Sequence, residues 1–220
     1  MKNNWTILDI LNWTSNYFKE KNIKEYKHKA ELLLSSLLNC SRVGVYLKFS
    51  ETLDEDKREL LKQWIKRIVN NEPIQYILGN WDFYGINFKV DSRALIPRFE
   101  TEELVEKCLN EVIKNKNIFE KKVTIVDVGT GTGAIIISLY LNLKKSLNDN
   151  LFKNIKFIAT DINPESLVLA TENAAKNNCD NISFINTDIL ENIDEKTDIL
   201  ISNPPYISLN DYNNLDNELF

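Results

Sequence analysis

Val123-Thr124-Ile125-Val126-Asp127-Val128-Gly129-Thr130-Gly131-Thr132-Gly133-Ala134 is the stretch whose reading decides the fold. A run rich in β-branched residues has the composition of a buried strand. It breaks at three glycines in alternate positions, and Ala134-Ile135-Ile136-Ile137-Ser138-Leu139 then opens an apolar helix. Strand, glycine turn and helix repeat in looser form downstream. Ile155–Thr160 reads as a second strand ending at Asp161. Asn163 is placed to cap the next helix, with Pro164 at its first position, where a missing N–H costs nothing. Ile182–Ile185 and Thr197–Ser202 read as third and fourth strands, and the polar stretch Ser146–Lys153 as a surface loop. Apolar strands alternating with helices predict an α/β fold, a parallel sheet covered on both faces.

Upstream the character changes. Residues 1–75 read as helices, with Ile7, Leu8, Leu11 and Phe18 near one helical stripe and Leu32, Leu33, Leu37 and Leu38 near another. Thr52 and Glu55 have capping-box spacing ahead of a third apolar face made by Leu60, Leu61, Trp64, Ile65 and Ile68. Residues 76–98 form a linker in which Trp81–Tyr84 and Ile86–Val90 flank Gly85, the pattern of a hairpin. Ile96-Pro97-Arg98-Phe99-Glu100-Thr101-Glu102 leads into a helix running to about Lys114 with Leu104, Val105 and Leu109 inward. The expected division is a helical domain over 1–75, the hairpin linker over 76–98 and an α/β domain over 99–220.

Composition excludes several classes of function. The chain has 220 residues, a net charge of −5 and 43% apolar residues, enough for a core. Residues 1–75 hold thirteen Lys/Arg against ten Asp/Glu, and the remainder fourteen against twenty-two. An acidic main domain argues against direct nucleic-acid binding. His28 is the only histidine, so neither a zinc site nor a histidine-based triad is expected, and no metal. Three cysteines, Cys40, Cys108 and Cys179, cannot make a complete disulfide framework and fit a reducing compartment. No uncharged apolar run approaches membrane-spanning length, so a cytoplasmic, soluble protein is expected.

Two features carry chemistry. The first is the glycine turn with Asp161: backbone without Cβ atoms lets a ligand approach closely, and an acid ending the next strand can accept both hydroxyls of a ribose. Gly129, Thr130, Gly131, Thr132, Gly133 and Asp161 are therefore candidates for an adenosine site, joined by Asp188 after the third strand. The loop does not choose the adenosine cofactor, since Gly129, Gly131 and Ala134 also satisfy a dinucleotide fingerprint. Asp161 follows Gly131 by thirty residues, longer than the spacing of about 20 usual there.

The second is Asn203-Pro204-Pro205-Tyr206 at the carboxyl end of the fourth strand. The Asn203 amide oxygen and the Pro204 carbonyl can accept both N–H bonds of a planar amino group, and Tyr206 can stack on it. A dinucleotide enzyme has no need of this, but an S-adenosylmethionine enzyme acting on such a nitrogen does. Catalysis there can rest largely on orientation, without a strong base.

Asp127-x-Gly-Thr-Gly-Thr-Gly133, Asp161, Asp188 and Asn203-Pro-Pro-Tyr-Ile207 resemble a class I S-adenosylmethionine-dependent methyltransferase with a Rossmann-like sheet. Glu72-Pro-Ile-Gln-Tyr-Ile-Leu-Gly79, Phe83-Tyr-Gly85, Phe88-Lys-Val90 and Leu95-Ile-Pro-Arg98-x-Glu-Thr101-Glu102 narrow the resemblance to the bacterial release-factor glutamine methyltransferases, the PrmC/HemK family. That resemblance implies methylation of the glutamine side-chain amide in the Gly-Gly-Gln loop of peptide chain release factors. It implies that residues 1–75 help grip the release factor and that Gly129 to Gly133 and Asp161 hold the methionine and ribose parts of S-adenosylmethionine. Asp188 and Ile189 would border the adenine, Asn203 would also contact the cofactor, and Asn203 to Tyr206 would bind the substrate glutamine, with Asn203, Pro204 and Tyr206 catalytic. Arg98 to Thr101 would line the cofactor side of the pocket.

Two departures stand out. Phe99 occupies a position where the family usually has proline, and the family continues past residue 220 to a seven-stranded sheet. The chain is therefore expected to be a truncated product with apolar surface exposed at its fourth strand. Rival readings are a glutamine methyltransferase for a ribosomal protein, an amino methyltransferase for adenine or guanine, a nicotinamide-binding module and a non-catalytic binding module.

Overall fold

The computed structural model describes residues 5–191 and 193–204; Pro205 and Tyr206 lie outside the described residues. These residues divide into two compact units, one ending at Leu78 and one beginning at Gly79.

The first unit is helical: α1 (Ile7–Glu20), α2 (Tyr26–Leu37), α3 (Arg42–Leu47), α4 (Glu55–Val69) and α5 (Ile74–Leu78). Its core gathers Ile7, Leu11, Phe18, Leu33, Leu34 and Ile65. Burial of such side chains, about 1.5–3 kcal/mol each, holds helices of this length together. Leu8 and Leu60, assigned to inward stripes by spacing, are exposed. The capping box also falls elsewhere. Asp54 caps α4 by accepting from the Lys57 N–H at 2.8 Å, and Thr52 instead forms a bridge to Thr6. Thr6 and Asp9 make the reciprocal box at the start of α1. Asp54 is adjacent to the first helical residue and charged, so it outcompetes a threonine two residues further out.

The second unit opens with a hairpin, β1 (Asn80–Phe83) and β2 (Ile86–Lys89), paired antiparallel around Tyr84-Gly85. Both turn residues have positive φ (51° and 70°), the two-residue turn whose twist suits a hairpin. After α6 (Glu102–Lys114) the chain builds β3 (Val123–Val128), α7 (Ala134–Ser146), the short α8 (Asp149–Phe152), β4 (Ile155–Asp161), α9 (Pro164–Lys176), β5 (Ile182–Asn186) and β6 (Ile199–Ser202). The expected loop over Ser146–Lys153 thus holds a single turn of helix, because Asn148 accepts from the Leu151 N–H and caps it.

The four strands are parallel, in the order β5-β4-β3-β6. From β3 through β5 the chain steps in one direction, and right-handed crossovers then place α7 and α9 on the same face. They touch each other as well as β4. At β5 the direction reverses, and the connection to β6 crosses the opposite face. There the Thr160 hydroxyl donates to the Ile189 carbonyl at 3.0 Å, and Lys156 pairs with Glu195. That face carries this connection rather than a helix among the described residues, and Leu200 on β6 is 53% exposed. Alternation in the sequence could not assign helices to faces. No helix among the described residues is long and apolar enough to cross a membrane.

Candidate active site

Strand register brings the site together. Val128 is level with Thr160 on one side and with Ser202 on the other. The next residues, Gly129, Asp161 and Asn203, therefore leave the sheet side by side, at strand spacings of about 4.8 Å. The Ser202 hydroxyl donates to the Val128 carbonyl at 2.9 Å and locks the β3–β6 ends. This is the carboxyl edge, at the point where strand order reverses, the general location of ligand crevices in open α/β sheets.

The glycine loop is held from beneath. Asp127 is fully buried, and its carboxylate accepts from the Thr130 hydroxyl at 2.7 Å. The Thr130 N–H donates to the Thr160 carbonyl at 2.9 Å, tying the loop to β4. Burial pushes the Asp127 carboxyl up to about 7, aided by the nearby Asp161 charge and opposed by the Thr130 hydrogen bond. Thr130 and Thr132 are themselves buried. Of the loop residues singled out by sequence, these two have side chains turned into the protein, so only their backbone faces a ligand.

The loop has room for a ligand where it matters. Gly129 and Gly131 have φ of 70° and 55°. A Cβ at Gly129 would meet nothing within 4 Å, and at Gly131 only Ala94 at 3.9 Å. Gly133 differs: its Cβ would lie 2.9 Å from the Ile137 side chain and 3.2 Å from Ala170, so this glycine serves helix packing. Asp161 receives the Gly131 N–H at 2.8 Å and the Asn163 N–H at 2.9 Å. A carboxylate has about four acceptor positions, which leaves two for hydroxyl donors.

Beyond Asp161 the chain turns back over the strand end. The Thr187 N–H donates to the Asp161 carbonyl at 3.2 Å, and Asn186 donates to the carbonyls of Asp161 and Ile162. Asp188 is exposed, and Ile189 is 64% exposed with a φ of 50°. A β-branched residue in the left-handed region costs roughly 1–3 kcal/mol. The hydrogen bond from Thr160 to its carbonyl fixes it, and its apolar side chain stays exposed.

On the far side, the Asn203 side-chain nitrogen donates to Thr101 Oγ1 at 2.9 Å. Asn203 and Pro204 are exposed, as are Arg98, Phe99 and Glu100. Pro205 and Tyr206, given substrate roles from the sequence, fall outside the described residues. Three further residues shape this edge: Asp127 beneath the loop, part of the sequence motif but given no role there, and Ser202 between strands and Asn173, neither of them singled out by sequence. Asn173 is fully buried, accepts from the Lys89 N–H at 2.7 Å and donates to the carbonyls of Lys89 and Thr132, each at 3.0 Å. It clips the hairpin to the glycine loop.

A parallel sheet with an open glycine cradle, an acid at the end of the next strand and an asparagine across the crevice defines a methyltransferase domain. The methyltransferase-domain family matches residues 119–217, and the PrmC N-terminal domain family matches residues 9–79. The release factor glutamine methyltransferase of Rhodopirellula baltica is 31% identical over 216 residues, 96% of this chain and 69% of that protein. That of Geobacter sulfurreducens is 30% identical over 98% of this chain and 70% of its own length. That of Lactococcus lactis subsp. lactis is 41% identical over 77% of this chain and 57% of its own length. The chain belongs to the release factor glutamine methyltransferase family, and it spans between 57% and 70% of the length of these three relatives.

Proposed function

We propose that this protein transfers a methyl group from S-adenosylmethionine to the side-chain amide nitrogen of a glutamine, the one in the Gly-Gly-Gln motif of peptide chain release factors. The observation that carries this reading is the level register of Val128, Thr160 and Ser202, which sets Gly129, Asp161 and Asn203 on one edge. Family membership supplies the substrate class.

The residues present fit the cofactor. Open space over Gly129 and Gly131 suits a group lying on the backbone, and the remaining acceptor positions of Asp161 suit ribose hydroxyls. The exposed Ile189 side chain would border the adenine, with Asp188 accepting from its amino group. When bound, S-adenosylmethionine supplies a methyl group on a positively charged sulfur, which keeps the electron pair of the broken S–C bond.

The chain's own contribution is orientation. The Asn203 amide oxygen accepts one N–H of the substrate amide, and the Pro204 carbonyl accepts the other. The two acceptors hold the nitrogen and draw its lone pair out of conjugation, so that the N–C bond can form. Tyr206, given the stacking role by the sequence reading, lies outside the described residues. One N–H proton leaves the nitrogen for solvent, and no strong base is needed. Holding reactants this way can supply much of a barrier reduction, about 7–11 kcal/mol at best.

The test is incubation of the chain with methyl-labelled S-adenosylmethionine and either a release factor or one whose Gly-Gly-Gln glutamine is changed. Label in the intact factor alone is expected. Label in both factors, or only in a ribosomal protein supplied in parallel, overturns the acceptor assignment.

A further inference from the structure

Thr101 is the last residue of a single 3₁₀ turn, Phe99–Thr101, and stands at the cap position of α6. A threonine there ordinarily turns its hydroxyl back to accept a backbone N–H of the first helical turn. Thr101 does not: its side chain makes no cap hydrogen bond, and its φ and ψ of −71° and −18° are already helical. The hydroxyl instead receives the Asn203 side-chain nitrogen at 2.9 Å, across 102 residues of sequence. Its neighbour Glu102 is committed as well, accepting the backbone N–H of the hairpin-turn residue Tyr84 at 2.8 Å. The first turn of α6 is thereby fixed on one side to the hairpin and on the other to the Asn-Pro loop.

We infer that Thr101 is a positioning residue that anchors the Asn203 amide by its nitrogen and so holds its oxygen toward the substrate. An asparagine amide has a donor end and an acceptor end of nearly the same shape, and only the acceptor end can receive a substrate N–H. With Nδ2 held on Thr101, Oδ1 is the end left free. Released from Thr101, the amide can rotate about its last side-chain bond and present its NH₂, which opposes an N–H donor. The inference rests on the proposed role of Asn203 in binding the amide. It adds a residue that never touches the substrate.

Four variants test it with the full chain: Thr101→Val, which keeps the shape and removes the hydroxyl; Thr101→Ser, which keeps the hydroxyl; Asn203→Ala; and the Thr101→Val/Asn203→Ala double variant. Thr101→Val is expected to lower kcat about tenfold, the worth of one ordinary hydrogen bond, with the dissociation constant for S-adenosylmethionine unchanged. Thr101→Ser should retain kcat within about twofold, as the same acceptor is present. The double variant should be no slower than Asn203→Ala, because Thr101 acts only through that side chain. Losses that multiply, or a Thr101→Val enzyme as fast as wild type while Asn203→Ala is slow, overturn the inference and leave the reading of Asn203 intact. Full activity in Asn203→Ala overturns that reading instead.

A second measurement is independent of turnover. The Asn203 side-chain NH₂ signal in a ¹⁵N-labelled chain, assigned by its loss in Asn203→Ala, should be protected from exchange in wild type and in Thr101→Ser. It should lose that protection in Thr101→Val. Equal exchange in all three overturns the inference.

Discussion

The backbone N–H of Gly131 donates to Asp161 Oδ2 at 2.8 Å, joining the glycine loop to the end of the neighbouring strand. The other carboxylate oxygen receives the Asn163 N–H at 2.9 Å, where α9 begins. Asp161 is therefore part of the frame that shapes the glycine loop, as well as the acceptor for the cofactor ribose in the proposed reading.

That double role separates Asp161 from Asn203 in a binding experiment. Asp161→Ala should raise the dissociation constant for S-adenosylmethionine at least a hundredfold, since charge-assisted hydrogen bonds contribute about 1.5–3 kcal/mol each. Saturated turnover should fall less than tenfold on the reading that Asp161 binds and does not react. Asn203→Ala should reverse the pattern, with kcat sharply lower and calorimetric affinity nearly intact. Equal damage to both properties by both changes would point to unfolding.

Gly129 and Gly133 share a left-handed backbone but face different surroundings. Gly129→Ala meets nothing within 4 Å, so it should cost the fold only the left-handed penalty of about 1–2 kcal/mol while placing a methyl group in the cradle. Gly133→Ala adds overlap with Ile137 and Ala170 to the same penalty and should cost about 3 kcal/mol or more. Urea melts and cofactor titrations on both variants should therefore rank them in opposite orders, Gly133→Ala worse for stability and Gly129→Ala worse for affinity.

The buried Asp127 carboxyl imposes a pH dependence of definite sign. Its folded-state value of about 7 lies above the ordinary aspartate value of 3.8, so the folded protein retains a proton that the unfolded chain has lost. Stability from this group is full below pH 4 and falls as pH rises from there to about 7, by an amount on the order of a few kcal/mol. In Asp127→Asn, which keeps an oxygen for the Thr130 hydroxyl, this decline should vanish. Urea melts of both proteins between pH 4.5 and 8 check it, since other titrating groups cancel in the difference. Parallel curves would mean that Asp127 is ionised in the fold.

Much of this frame was legible in the sequence for physical reasons. Strand composition, alternating glycines and a Pro164 after Asn163 are local signals, and all three mark elements where the structure has them. Thr101 was not legible as a partner of Asn203, because the contact depends on how a helix start and a distant strand end are brought together. Asp127 opened the glycine motif in the sequence without a role of its own; only its burial against Thr130 shows it to be the floor of the loop. The capping box at Thr6 was missed because its third-position acid is Asp9, where the familiar pattern has Glu or Gln. The assignment of helices to sheet faces needed the strand order, which periodicity does not contain.

Asn173 is the clearest case of a polar residue hidden in a helix, and it gives the sharpest stability prediction. Its side chain satisfies one N–H and two carbonyls that belong to Lys89 and Thr132, with no exposure of its own. Asn173→Ala strands all three and should cost about 3 kcal/mol or more, as each unsatisfied buried group costs about 1–3 kcal/mol. Asn173→Asp keeps the acceptor for the Lys89 N–H but loses both donors and buries a charge beside two carbonyl oxygens. It should therefore be worse than alanine at pH 7 and regain part of the deficit in acid, where a protonated carboxyl recovers one donor. Because one of the stranded carbonyls belongs to Thr132, both variants should also weaken S-adenosylmethionine binding, by up to about tenfold for one loosened hydrogen bond. A loss below about 1 kcal/mol in Asn173→Ala would show that packing of β2 on α9, and not this amide, holds the hairpin against the loop.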